Sequence, residues 1–211
     1  MDNFVVTFAR GFGTGGKAIA SQLAKELGIH CYENRILTLA SQLSGLDENV
    51  FQEVNEKLRE EGGFTSFLRG LPRAKGYISR NEKFKSDDRL FEYQSQIINE
   101  LADKESCVII GRCADYALED NPFAVSVWIK ADLDVRIQRI KKLYDLSDNK
   151  AADMIQKTDK RRASYYNYYS SKKWGEAKSY DLCLDSGELG IDGSIELILK
   201  YIELKEKNLA K

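Results

Sequence analysis

A strand that runs straight into a glycine-rich turn and then into a helix admits few folds, and this chain opens with one. Residues 4 to 8, FVVTF, are β-branched and aromatic, which suits a buried strand. GFGTGGKA follows at 11 to 18, and from Lys17 the apolar residues Ile19, Leu23 and Leu27 recur at helical spacing. Gly28 suits the left-handed residue that ends a helix. A loop so placed turns its backbone N–H groups toward an anion at the helix amino end. Gly11, Gly16 and Lys17 fit the phosphate-cradle spacing G-x-x-x-x-G-K, Gly13 and Gly15 add freedom for positive φ, and Thr14 lies between them. Ala18 stands where a magnesium-binding hydroxyl is usual.

Four more short apolar runs read as strands: IHCY at 29 to 32, CVII at 107 to 110, VSVWI at 125 to 129 and DLCL at 181 to 184. Helical stretches separate most of them, and near-continuous apolar strands alternating with helices indicate a parallel sheet covered on both faces. The expected class is α/β with five strands. Helical patterns fill about 34 to 60, residues 61 to 86 read as an irregular loop, and DDRLFEYQSQIINELADK at 87 to 104 reads as a helix leading into the third strand.

With 211 residues the chain fits one domain, and no apolar run approaches the roughly 18 residues that span a bilayer. Its start shows no secretory pattern, and Cys31, Cys107, Cys113 and Cys183 have no paired spacing, so a cytoplasmic chain with reduced thiols is expected. His30 is the sole histidine, which sets aside histidine-based catalysis and zinc; no residue is expected to bind metal directly from such a cluster. The net charge of -1 conceals an asymmetry: from Arg136 to Lys173 eleven Lys or Arg face four Asp, so this segment carries +7. A local anion site is one reading. The run KRRASYYNYYSSKKW within it permits a nucleic-acid reading, although tyrosines that pack a helix explain it more simply.

RGFGTGGKAIASQLAKELGIHCYENRIL, CVIIGRCADYALED, VWIKADLDVRIQRI and TDKRRASYYNYYSSKKWGEAKSYDLCLDS resemble consecutive blocks of the cytidylate kinase-like family, relatives of the P-loop nucleoside monophosphate kinases. The resemblance implies a P-loop NTPase three-layer α/β/α fold with a five-stranded parallel sheet, a helical substrate-binding insertion and a helical lid. The whole of 1–211 is then one kinase domain, with core 1–44, 104–140 and 179–211, insertion about 45–103 and lid about 141–178.

The resemblance also implies roles. Gly11, Gly13, Thr14, Gly15, Gly16, Lys17 and Ala18 would bind ATP phosphates; Arg112, Asp115 and Arg136 would bind the acceptor; Lys17, Arg161 and Arg162 would be catalytic. Asp115 is shifted relative to the GRD of true cytidylate kinases. With Ala18 in the loop, Mg2+ would be held through ATP oxygens and water, or by Thr14. The implied reaction is phosphoryl transfer from ATP to a nucleoside monophosphate, with CMP or dCMP favoured. The alternatives are a kinase of another small metabolite and a nucleotide-binding regulator without turnover. Partners are expected to be small nucleotides, with neither nucleic acid nor membrane.

Overall fold

In a computed structural model of the chain the described residues are 3–34, 36, 38–39 and 80–209, with the backbone alone for 80–89. Helical patterns expected at 34 to 60, apart from positions 34, 36, 38 and 39, and most of the loop expected at 61 to 86, lie outside them. The chain divides into two compact units, Met1–Glu33 with Ile98–Lys211, and Asn34–Ile97. The strands and the glycine loop belong to the first unit.

All five expected strands form: β1 Val5–Arg10, β2 His30–Tyr32, β3 Cys107–Ile110, β4 Ala124–Lys130 and β5 Leu182–Asp185. They make one parallel sheet in the order β2-β3-β1-β4-β5. Val5 sits opposite Cys107 on one side and Ala124 on the other, so β1 is central. Every residue of β3, and Val5 to Ala9 of β1, is buried, because both faces of these strands are covered.

Helix α1, Gly16–Leu27, begins after Gly15 and stops at Gly28, whose φ of 68° lets its N–H cap the last turn. Helix α2 is Arg80–Lys104, seven residues longer at its start than the sequence pattern suggests. RNEKFKS holds no glycine or proline, so the irregular composition before it does not carry into this stretch. After β3 come a short α3, Ala114–Ala117, then β4, α4 Leu133–Tyr144 and α5 Asp148–Ser170. The last helix, α6 Ser186–Leu209, is broken at Gly190, where φ is 69° and ψ is -169°.

Val6, Phe8, Val108, Ile110, Val127 and Ile129 from the sheet join Ile19 and Leu23 of α1 and Ile195, Ile198 and Ile202 of α6 in one apolar core. Each such side chain stabilises the fold by about 1.5–3 kcal/mol. A second cluster joins Ile140 of α4 to Ala151 and Ile155 of α5, with Phe12 of the glycine loop packed against it. The loop is thus seated on two helices that are remote from it in sequence. Among the described residues no helix is long and apolar enough to cross a membrane.

Candidate functional site

In a parallel sheet the carboxyl ends of all strands share one edge. Where the chain leaves β1 its two neighbours, β3 and β4, connect in opposite directions, and a crevice opens at such a point. The glycine loop lies there. Gly13 and Gly15 take φ of 81° and 79°, the left-handed region that glycine adopts without cost. A Cβ on Gly13 would come within 3.1 Å of the Arg136 carbonyl and 3.0 Å of Ile140.

Thr14 closes the turn: its hydroxyl donates to the Gly11 carbonyl at 2.9 Å and accepts the Gly16 N–H at 3.4 Å. Its own carbonyl accepts from Arg139 at 2.9 Å and from the Ser186 hydroxyl. Arg139 also donates to the Ser186 carbonyl at 2.9 Å, so it braces the loop against the start of α6. Arg136, expected at the acceptor, donates through Nε to the Phe12 carbonyl at 2.7 Å and pairs with Asp159 of α5. Asp159 accepts the Phe12 N–H at 2.7 Å. These bonds place the expected lid against the loop.

Lys17 is exposed at the first turn of α1 and pairs with Glu33 at 2.6 Å. Glu33 follows β2 and also receives Arg10, the last residue of β1, at 3.0 Å. Partial burial alone would raise the Glu33 carboxyl. The hydrogen bond from Lys17 and the charges of Arg10, Lys17 and Arg112 outweigh it and hold the group below its ordinary value. Ala18 is exposed and offers no ligand atom.

The turn after β3 is strained. Gly111, Arg112 and Cys113 are all left-handed, with φ of 74°, 62° and 52°. For the two that carry a Cβ this costs on the order of 1–2 kcal/mol each, and such strain concentrates at functional sites. Arg112 is half-buried. Desolvation lowers its pKa, and it lies close enough to Tyr165, Glu33 and Arg161 to feel their charges. Arg162 donates to the Arg10 carbonyl at 3.1 Å and lies 5.6 Å over the Phe12 ring. Desolvation first, then the charge of Arg10, pulls Arg162 down to about 9.

Lys17, Arg112, Arg161 and Arg162 therefore meet at one edge of the sheet. Asp115 accepts a hydrogen bond from Tyr166 of α5 at 2.7 Å, and desolvation raises its carboxyl. Arg10 and Glu33 are site residues that the motif reading passes over. Their signal is position, at the carboxyl ends of two strands. Among the described residues, those of the glycine loop do not fit a protein-held magnesium ion: Ala18 has no side-chain oxygen, and the Thr14 hydroxyl is buried in the loop's own turn. Among the described residues no group of three or more His, Cys, Asp or Glu could hold a metal.

A glycine loop between the central strand and a helix, and a parallel sheet in this order, define the fold of the P-loop kinases. The chain belongs to the cytidylate kinase-like family, whose model matches residues 5–188. It is 32% identical over 124 residues to a cytidylate kinase of Archaeoglobus fulgidus, an alignment that covers 56% of this chain and 64% of that protein's length. An uncharacterized protein from Eubacterium ventriosum ATCC 27560 superposes with a TM-score of 0.68 and 27% identity, covering 95% of this chain and 99% of that one. Shikimate kinase from Bacteroides thetaiotaomicron shares the fold alone, with a TM-score of 0.52, 17% identity and coverage of 95% and 98%.

Proposed function

We propose that the protein transfers the γ-phosphoryl group of ATP to a nucleoside monophosphate, with CMP or dCMP as the favoured acceptor. The observation that carries this reading is the convergence of Lys17, Arg112, Arg161 and Arg162 beside the glycine loop. Family membership and the similarity to a protein named cytidylate kinase support the choice of acceptor.

The loop from Gly11 to Ala18 holds the ATP phosphates through N–H groups other than those of Gly11, Phe12, Thr14 and Gly16, which bond within the protein, and Lys17 exchanges Glu33 for a phosphate oxygen. Arg112 holds the acceptor's phosphate. One of that phosphate's oxygens attacks the γ-phosphorus, the bond to the β,γ-bridging oxygen breaks, and ADP leaves with that electron pair. Arg161 and Arg162 meet the charge spread over the moving group, and α5 over the loop keeps water from taking the acceptor's place. Any magnesium would be held by the nucleotide's own oxygens and water, since Ala18 supplies no side-chain oxygen. The four free thiols, Cys31, Cys107, Cys113 and Cys183, support a reducing, cytoplasmic setting.

Ala18 favours a second reading, a nucleotide-binding regulator without turnover, and Asp115 a third, a kinase of another small metabolite. A coupled assay of ADP release over nucleoside monophosphates and simple hydroxyl-bearing metabolites separates the three. Turnover with CMP or dCMP above all others supports the proposal; turnover with a metabolite lacking phosphate, or none at all, overturns it.

A further inference from the structure

Arg10 is the last residue of β1, and its side chain does not point into the glycine loop. It crosses the end of β3 toward β2. Its Nη2 donates to Glu33 after β2 at 3.0 Å, and a Cβ placed on Gly111 after β3 would collide with its Nη1. Gly16 gives the same residue room from the other side, where an added Cβ would lie 2.8 Å from the Arg10 Cβ. Two glycines thus leave a channel for one arginine.

That arginine is poorly matched by the protein around it. Its side chain is 14% exposed, yet among the described residues the Glu33 contact is its one side-chain hydrogen bond, so most of a five-donor fork faces no acceptor among them. Glu33 divides its carboxylate between Arg10 and Lys17. Arg112 and Arg162 add like charge nearby, and burial, with Arg112 and against the pull of Glu33, brings Arg10 down to about 10. Holding a guanidinium in such a place costs free energy that an anion recovers, and a planar fork suits a phosphate's oxygens.

We propose that Arg10 forms, with Arg112, a two-armed clamp for the phosphomonoester of the acceptor, so that the acceptor class is a phosphate-bearing molecule and not a neutral alcohol. The proposal rests on the phosphoryl-transfer reading and deepens it. Glu33 holds the guanidinium in position while the clamp is empty.

The test is calorimetry with inorganic phosphate titrated into the protein saturated with ADP, and separately into the nucleotide-free protein. Arg10→Gln weakens phosphate binding by at least about tenfold and changes ADP affinity by less than about threefold. Arg10→Lys, which keeps the charge and loses the fork, gives an intermediate loss at an unchanged melting temperature. Glu33→Gln, which frees the guanidinium of its competitor, leaves phosphate affinity equal or tighter. The proposal is overturned if the wild-type chain takes up no phosphate at millimolar concentration, if both Arg10 variants bind it as the wild type does, or if ADP affinity falls in the same proportion. Failure of ADP to bind the wild type counts against the donor site alone, and the nucleotide-free titration still decides the role of Arg10.

Discussion

Asp159, in the middle of α5, holds Phe12 of the glycine loop by its backbone: one carboxylate oxygen accepts the Phe12 N–H at 2.7 Å. Its other oxygen takes Arg136, which returns to the Phe12 carbonyl, so both backbone groups of one loop residue are fixed from the helix side. Asp159→Ala leaves a half-buried N–H without its partner and Arg136 without its counter-ion. Hydrogen bonds to charged groups contribute about 1.5–3 kcal/mol. Amide exchange across Asp159 to Tyr169 should quicken at least about tenfold in the variant, and kcat should fall more than ATP affinity. In the wild type the same amides should slow further with ATP plus acceptor than with either ligand alone. Exchange that ligands do not alter would make α5 a fixed part of the core.

Lys17 is 69% exposed along its side chain, so its removal touches no packing. Lys17→Ala should lower ATP affinity or turnover at least about tenfold with the melting temperature preserved, since a loop lysine spends its charge on phosphate. Unchanged ATP affinity in a calorimeter would take the lysine out of the cradle.

Ala18 is exposed beside Lys17, so a hydroxyl fits there without displacing anything. Ala18→Ser should raise ATP affinity in a magnesium-dependent manner, by about threefold or more. Equal affinities with and without magnesium in the variant would mean that the ion needs no oxygen at this position.

Desolvation holds the Asp115 carboxyl above its ordinary value, against the hydrogen bond from Tyr166. An acid whose folded pKa is raised costs stability once pH exceeds its unfolded value, about 3.9, and costs nothing well below it. Asp115→Asn keeps an acceptor for Tyr166 and removes the desolvated charge. Its melting temperature should match the wild type near pH 3 and exceed it by about 2–4 °C near pH 7. A variant less stable at pH 7 would show that the carboxylate is stabilised by groups other than Tyr166.

Gly111 has φ of 74° and lies under the Arg10 guanidinium. Gly111→Ala should cost about 1–2 kcal/mol from backbone strain alone, with more from the displaced arginine. Urea unfolding measures it; a loss below about 0.5 kcal/mol would mean that the turn relaxes freely.

The strands are legible because β-branched and aromatic residues cluster in short runs, and α1 is legible at both ends because Gly15 and Gly28 take conformations that few other residues adopt. The start of α2 is not, since composition before Arg80 says nothing about where a helix begins within polar residues. The glycine run makes a strand, turn and helix legible, and its G-x-x-x-x-G-K spacing suggests a phosphate cradle. Arg112, Arg161 and Arg162 stand out only through resemblance. Arg10 and Glu33 escape both routes: their pairing depends on β3 lying between β1 and β2, and strand order leaves no periodic trace in a sequence. Arg136 and Arg139 are visible as a pair three residues apart, yet their attachment to the Phe12 and Thr14 carbonyls is a matter of tertiary geometry.

Ser186, which bonds the Thr14 carbonyl from 172 positions downstream, has a bearing on the order of events during synthesis. The glycine loop leaves the ribosome well before two of its braces, Arg139 and Ser186, which emerge only after β4 and β5, respectively, have been made. A nascent chain halted before residue 186 carries every glycine of the loop without the hydroxyl that fixes its carbonyl. The phosphate capture proposed for this loop is thereby deferred until β5 and the start of α6 have been translated.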